Sequence, residues 1–290
     1  MGRELLVGAH MSIAGGIHNA FERGRHAGCR TIQLFLKNST QWKGKKLLEE
    51  DRLLFRAAQD RTGIGPAIAH NSYLINLASP DPALFRKSLS AFIGELERAR
   101  FLGIPFVVLH PGFHMGDGER KAIPRIARAL DRSLEQIGPP VEVLLENTAG
   151  QGSSVGHRFD QLASILDRIR QADRVGICVD TCHTFAAGYD ICTADGYEST
   201  ISEIRRLIGL DRIRVFHVND SSRMLGSRVD RHAHIGKGFI GLGAFRCLVN
   251  DSRFAGIPKI LETPKGEGMT YDRMNLATLR RLAGQESSHR

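Results

Sequence analysis

The chain of 290 residues has no apolar run long enough to cross a membrane. Its first apolar stretch, after Met1-Gly-Arg-Glu4, already stops at His10. A run that short excludes a spanning helix and is too brief for a signal peptide, so a cytoplasmic protein is expected, bacterial and nucleoid-associated if it works on DNA. Cysteine is sparse: Cys29, Cys178, Cys182, Cys192 and Cys247 are odd in number and never spaced C-x-x-C. That pattern excludes a disulfide framework and a cysteine zinc ribbon, and fits a reducing compartment. No G-x-G-x-x-G follows the first β-rich run, which removes the fingerprint of an open dinucleotide-binding sheet. No linker rich in Pro, Gly or Ser divides the chain, so residues 1–284 are expected to form one domain and 285–290 a disordered tail.

What is present is an ordinary core-forming composition, 42% hydrophobic and 24% charged, with an excess of base over acid. Forty Lys and Arg against 31 Asp and Glu leave a formal charge of +9, which points to an anionic partner such as nucleic acid or a membrane surface. Eight short β-rich runs recur: Leu5–His10, Thr31–Leu36, Gly65–His70, Phe106–His110, Val141–Asn147, Val175–Asp180, Ile213–Asn219 and Lys259–Thr263. Several are almost wholly apolar, as strands covered on both faces are. Amphipathic stretches lie between them, notably Asp81–Leu102, Arg120–Ile137, Phe159–Ile169, Ser199–Ile208 and Tyr271–Leu282. Regular strand–helix alternation gives a parallel sheet, and eight units close into a single-domain (β/α)8 barrel of the TIM type.

The ends of these runs carry the chemistry. They offer His10, His70, His110, Glu146, Asp180, His217 and Glu262, with His183, Asp230 and His232 in the loops just beyond. Taken singly, a His closing a strand is more often a hydrogen-bonded rim residue, and a Glu more often a surface ion pair. In a barrel, however, all strands open on the same face, so these residues converge, and buried carboxylates resist desolvation without a cation. Mixed imidazole and carboxylate ligands suit zinc, manganese or non-haem iron. With His10 set aside, nine candidates exceed the three or four ligands of one zinc, so two or three ions are implied. Cys182 is read as a packing residue, and His10 as lining the pocket or supporting the ligands from behind.

At these residues the sequence resembles endonuclease IV, the zinc-dependent abasic-site (AP) endonucleases also called AP endonuclease family 2. The resemblance rests on Gly8-Ala-His-Met-Ser12, His70-Asn-Ser-Tyr-Leu-Ile-Asn76, Leu109-His-Pro-Gly112 and Leu145-Glu-Asn-Thr-Ala-Gly-Gln-Gly152. It continues through Val179-Asp-Thr-Cys-His-Thr-Phe-Ala-Ala-Gly-Tyr-Asp190, His217-Val-Asn-Asp220, Gly226-Ser-Arg-Val-Asp-Arg-His232 and Leu261-Glu-Thr263, so it spans essentially the whole chain.

The resemblance implies three zinc ions, with manganese as a substitute. His70, His110 and Glu146 would hold the first. Glu146 would bridge to the second, completed by Asp180, His217 and Glu262, and His183, Asp230 and His232 would hold the third. It implies a DNA-repair hydrolase acting on double-stranded DNA with abasic or 3′-blocked lesions, and a monomer is expected. The cut would lie 5′ to the abasic site and leave 3′-hydroxyl and 5′-deoxyribose phosphate ends, with a metal-bridging hydroxide attacking and Glu146 and Glu262 as catalytic residues.

Tyr73 and Leu74 match family residues that wedge into the duplex, and Asn38 and Gln41 are expected to touch DNA. Two positions depart from the family: Thr40 stands where an arginine is common and Ser222 where a lysine is frequent, which weakens the expected grip on DNA while leaving the metal ligands intact. Lys37, Lys43 or Arg223 could replace the lost charge but not the wedge shape of the arginine. Two other readings remain: a metal-dependent sugar isomerase or epimerase on the same barrel, and a non-catalytic zinc-containing barrel that binds DNA.

Overall fold

The computed structural model describes residues 5–285. Eight parallel strands close a barrel in which each strand pairs with its neighbours in sequence: β1 (Val7–His10), β2 (Thr31–Phe35), β3 (Ala67–His70), β4 (Phe106–Leu109), β5 (Glu142–Glu146), β6 (Val175–Asp180), β7 (Ile213–His217) and β10 (Lys259–Leu261). Strand β10 pairs with both β7 and β1, which completes the ring. Every run expected from the sequence is a strand. Several stop one or two residues early, so His110 and Glu262 lie just past a strand end rather than within it. The interior is a packed core, with Ile68, Val108, Leu144, Cys178, Val215 and Ile260 forming one apolar cluster inside the ring.

The connecting helices form the outer layer. The longest, α3 (Pro82–Leu102), shows why its limits were legible: the Asp81 carboxylate accepts from the Ala83 and Leu84 amides, Pro82 opens the first turn, and Gly103 closes the helix at φ 74°. Helix α7 (Ala194–Leu207) starts five residues before the expected Ser199, because Thr193 caps it by accepting from the Gly196 amide. Periodicity alone missed that cap. Helices α1 (Asn19–Ala27), α2 (Glu49–Thr62), α6 (Thr181–Ala187) and α8 (Gly241–Asn250) were not anticipated either. Helix α2 buries only Phe55 and Ala58 and leaves Leu53 and Leu54 exposed, so its apolar period is weak.

Beyond β7 the chain makes a small antiparallel hairpin, β8 (Asp220–Ser221) with β9 (His232–Ala233), which pairs His232 with Ser221. Gln285 accepts a hydrogen bond from the Leu5 amide (3.0 Å), and the rest of the expected tail, 286–290, lies outside the described residues. Among the described residues no helix is long and apolar enough to cross a membrane, and all five cysteines are free.

Candidate metal centre

The strand ends and the hairpin bring the nine expected ligands together in three groups. His70, His110 and Glu146 form one; Glu146, Asp180, His217 and Glu262 a second; His183, Asp230 and His232 a third. Within each group the donor atoms lie within 4.8 Å of one another. Glu146 belongs to two groups. Its Oε2 lies 3.2 Å from His70 Nε2 and 2.9 Å from His110 Nε2, while Oε1 lies 2.9 Å from His217 Nδ1 and 3.2 Å from His183 Nδ1. Both Glu146 and Asp180 are wholly buried. Asp180, His232 and Cys182 make a further possible set, but Sγ of Cys182 turns to the Arg231 carbonyl (3.7 Å). Burial, reinforced by the nearby Asp180, pushes the Cys182 thiol up to about 12, as suits a packing role.

The imidazoles are oriented from behind, and this decides which nitrogen faces the centre. Nδ1 of His70 donates to the Asn71 carbonyl (2.7 Å), Nδ1 of His183 to the Asn147 carbonyl (2.9 Å), and Nδ1 of His232 to the Glu262 carbonyl (3.2 Å). Nε2 of His217 donates to the Gln33 side-chain oxygen (2.8 Å). A carbonyl can only accept, so in each ring the opposite nitrogen keeps its lone pair for the cluster. Nε2 of His183 and of His232 are buried with no hydrogen-bond partner among the described residues, although Asp230 oxygens lie 3.2 and 3.3 Å away. Two buried imidazole nitrogens left without a hydrogen bond beside a carboxylate are what a cation site requires, and the imidazole–carboxylate set fits zinc or manganese.

The charge states agree. Burial opposes ionisation of Glu146, but His217 and His110 overcome it and hold the carboxyl well below the usual range. Burial likewise resists charge on Glu262, and His217 again prevails. Asp230, partly desolvated, is held at about 2 by His183 and His232. Burial lowers His183 and His217, yet their neighbours raise both well above the ordinary histidine value: Asp180, Asp230 and Glu146 around His183, and Cys178 with Glu262 and Glu146 around His217. Without a cation, protons on these rings balance the buried carboxylates.

Several residues that complete the site were not singled out from sequence. Gln33, in the middle of β2, donates to Glu262 Oε1 (2.6 Å) and to His10 Nδ1 (3.1 Å) while accepting from His217. His10 thus stands behind the ligands; burial lowers its pKa against the pull of Glu262, in keeping with a neutral ring that accepts from Gln33. A glutamine inside an otherwise apolar strand, Thr31-Ile-Gln-Leu-Phe35, was the available signal. Asn219 donates to Asp180 Oδ2 (2.7 Å) and accepts from the Glu262 amide (2.7 Å). Asp220 accepts from the amides of Gly236, Gly238 and Ile240, which pins the loop after the hairpin.

The centre opens into a pocket of ≈ 260 Å³ whose walls include His70, Tyr73, His110, His183, Asp230 and Arg231. Tyr73 is 62% exposed at its mouth, its ring 5.4 Å from Phe35 and 5.6 Å from His70, with the half-buried Leu74 beside it. The next loop is held to that of Tyr73 by Asn76, whose carboxamide both donates to the Phe113 carbonyl and accepts from its amide. Gly112 is glycine for this reason: at φ 122° a Cβ would lie 2.4 Å from Asn76 Oδ1. Asn38 and Gln41 do not line this pocket. They are exposed on the loop after β2, where Asn38 Oδ1 accepts from the Thr40 amide and hydroxyl. Ser222 donates from its hydroxyl to the Arg231 carbonyl (3.2 Å).

Comparison with known proteins agrees with this geometry. Residues 21–282 match the family described as xylose isomerase-like TIM barrel. A protein of Chloroflexus aurantiacus named probable endonuclease 4 is 55% identical over 276 residues, covering 95% of this chain and 97% of its own. The crystal structure of endonuclease IV from Thermus thermophilus superposes with a TM-score of 0.85 at 36% identity, covering 96% of this chain and 99% of that one. A D-tagatose 3-epimerase-like protein superposes at 0.72 with 16% identity, over 96% and 98% of the two chains, a likeness of fold alone. With a family match over most of its length and a relative more than half identical, this chain belongs to the endonuclease IV family.

Proposed function

We propose that this chain is a zinc-dependent AP endonuclease of DNA repair, which hydrolyses the phosphodiester 5′ to an abasic site and leaves a 3′-hydroxyl and a 5′-deoxyribose phosphate. One observation carries the reading: three ligand groups adjoin one another at the barrel mouth, two of them sharing the wholly buried Glu146, whose Oε1 also lies 3.2 Å from His183 of the third. Zinc ions held by His70, His110 and Glu146, by Glu146, Asp180, His217 and Glu262, and by His183, Asp230 and His232 would supply an activated water and neutralise the phosphate and the leaving oxygen. The protein's part is to orient. Gln33, Asn71, Asn147 and the Glu262 carbonyl fix which imidazole nitrogen faces inward, and Asn219 locks Asp180 against the end of β10. Tyr73 stands at the mouth, where its ring could enter the duplex at a missing base, where stacking is already lost, and Leu74, next to it in the chain but not lining the pocket, would follow it.

The rival sugar epimerase shares the barrel, but the third group, His183 of α6 with Asp230 and His232 of the β8–β9 hairpin, and the exposed Tyr73 favour a phosphodiester substrate. The direct test is incision of a duplex carrying one tetrahydrofuran abasic analogue, with the intact duplex and D-tagatose as controls. Cleavage on the 5′ side that requires zinc supports the proposal; epimerisation without incision overturns it.

Two further outcomes are expected. Zinc must displace the protons that His183 and His217 hold above the ordinary histidine range, so binding should release protons at neutral pH and weaken as the pH falls. Calorimetric titration in buffers of different ionisation enthalpy reads that release; a buffer-independent heat contradicts it. Tyr73→Ala should weaken binding to the abasic duplex roughly 10-fold, in line with the about 1–3 kcal/mol that stacking on an aromatic ring supplies, with little change in the single-turnover rate. Titration and rapid-quench measurements separate the two effects.

A further inference from the structure

A second cavity, of ≈ 620 Å³, lies outside the barrel between α3 and the segment Trp42–Leu47. Lys87, Ala91, Gly94, Arg98 and Phe101 of α3 follow one another along it at helical spacing, so it extends about 21 Å at 1.5 Å per residue. Trp42 stands at the end nearer the metal centre, with the Lys87 ammonium 4.3 Å from its ring, and Phe101, 37% exposed, marks the other end. Lys37 and Glu95 pair with each other within its wall at 2.6 Å. The remaining charged lining is Lys43, Lys46, Lys87 and Arg98 against Glu97 alone.

The floor is held open where the fold does not demand it. Gly94 sits in the middle of a 21-residue helix, where glycine costs about 1 kcal/mol relative to alanine, yet a Cβ built there meets nothing within 4 Å. Packing gives no reason for a glycine at this position, whereas a ligand lying along the helix does.

We propose that this groove binds a short stretch of single-stranded DNA, its bases against Trp42 and Phe101 and its phosphates beside Lys43, Lys46 and Lys87. Aromatic rings interleaved with cations along an elongated groove are the general means of holding single strands without reading sequence. The groove also adjoins the metal face: Glu95 accepts from the Ser72 amide, next to Tyr73, and Ser72 donates to the Ser39 carbonyl (2.6 Å). The groove and the pocket thus lie on either side of the Ser72–Tyr73 loop.

Trp42 is the only tryptophan in the chain and reports on the groove directly. Titration with the hexanucleotide (dT)6 should quench its fluorescence saturably, with an affinity that falls with log salt at a slope of about 0.7 per phosphate contacted. Gly94→Phe, which fills the floor, should weaken that binding at least 10-fold, and Gly94→Ala should fold and weaken it by a smaller factor. Lys46→Glu should weaken it several-fold even if Gly94→Phe does not fold. Incision of a blunt abasic duplex by Gly94→Ala should be unchanged. The proposal fails if (dT)6 gives no saturable quenching, if neither Gly94→Phe nor Lys46→Glu alters it, or if hexaglutamate quenches equally, since the groove would then take acidic peptides. The readout is fluorescence, so the proposal stands or falls apart from the abasic-site assignment.

Discussion

Glu146→Gln is expected to reduce incision of an abasic duplex by at least 10³-fold while leaving the barrel folded. A loss of 10²–10³ accompanies removal of one stabilising group in a typical active site, and Glu146 belongs to two ligand groups at once. An amide keeps the shape of the side chain but loses the charge and one acceptor, so both groups that share it should bind zinc poorly. The third group, His183, Asp230 and His232, does not contain it. Elemental analysis should therefore fall from about three zinc equivalents toward one, with circular dichroism unchanged. The fold should survive because, without a cation, the buried carboxylate is balanced only by the imidazoles around it, and neutralising it removes a charge whose desolvation is costly. Full activity with all zinc retained would refute the partition of ligands proposed above.

The second large effect lies away from the metals. Lys37 and Glu95 form an ion pair at 2.6 Å with side chains 5% and 1% exposed. Burial pushes the Glu95 carboxyl up, and Lys37 pulls it back only in part. Lys37→Met strands that carboxylate, and breaking a buried pair in this way costs about 3–5 kcal/mol. Urea denaturation should show that loss. The double variant Lys37→Met/Glu95→Leu should recover most of it, because well-packed apolar residues often replace a buried pair without penalty. Equal stability of single and double variants would mean that the pair contributes nothing beyond its volume. The single variant should also weaken abasic-duplex binding, since Glu95 accepts from the Ser72 amide and thereby holds the loop that carries Tyr73.

The parts of this protein legible in its sequence are those governed by local chemistry. Apolar runs such as Val175–Asp180, buried on both faces, announce themselves by composition, and α3 by its Asp81 cap and Gly103 stop. The ligand types were equally visible, because His, Asp and Glu repeatedly closing apolar strands is a pattern that strand propensity does not produce. Their grouping entered as an implication of the family resemblance, and the tertiary structure brings the same residues into the same groups.

Tertiary structure alone decided the rest. Gln33 lies 184 residues from His217 and 229 from Glu262, yet one carboxamide sets the orientation of both. No local signal measures such distances. The pairing of Lys37 with Glu95, the anchoring of the Phe113 loop by Asn76 and the groove beneath Trp42 are likewise contacts between separate elements. Strands and helices follow from preferences that each residue expresses within its own few turns of chain. Which side chain stands behind which ligand depends on how the barrel closes, and closure is a property of all eight strands together.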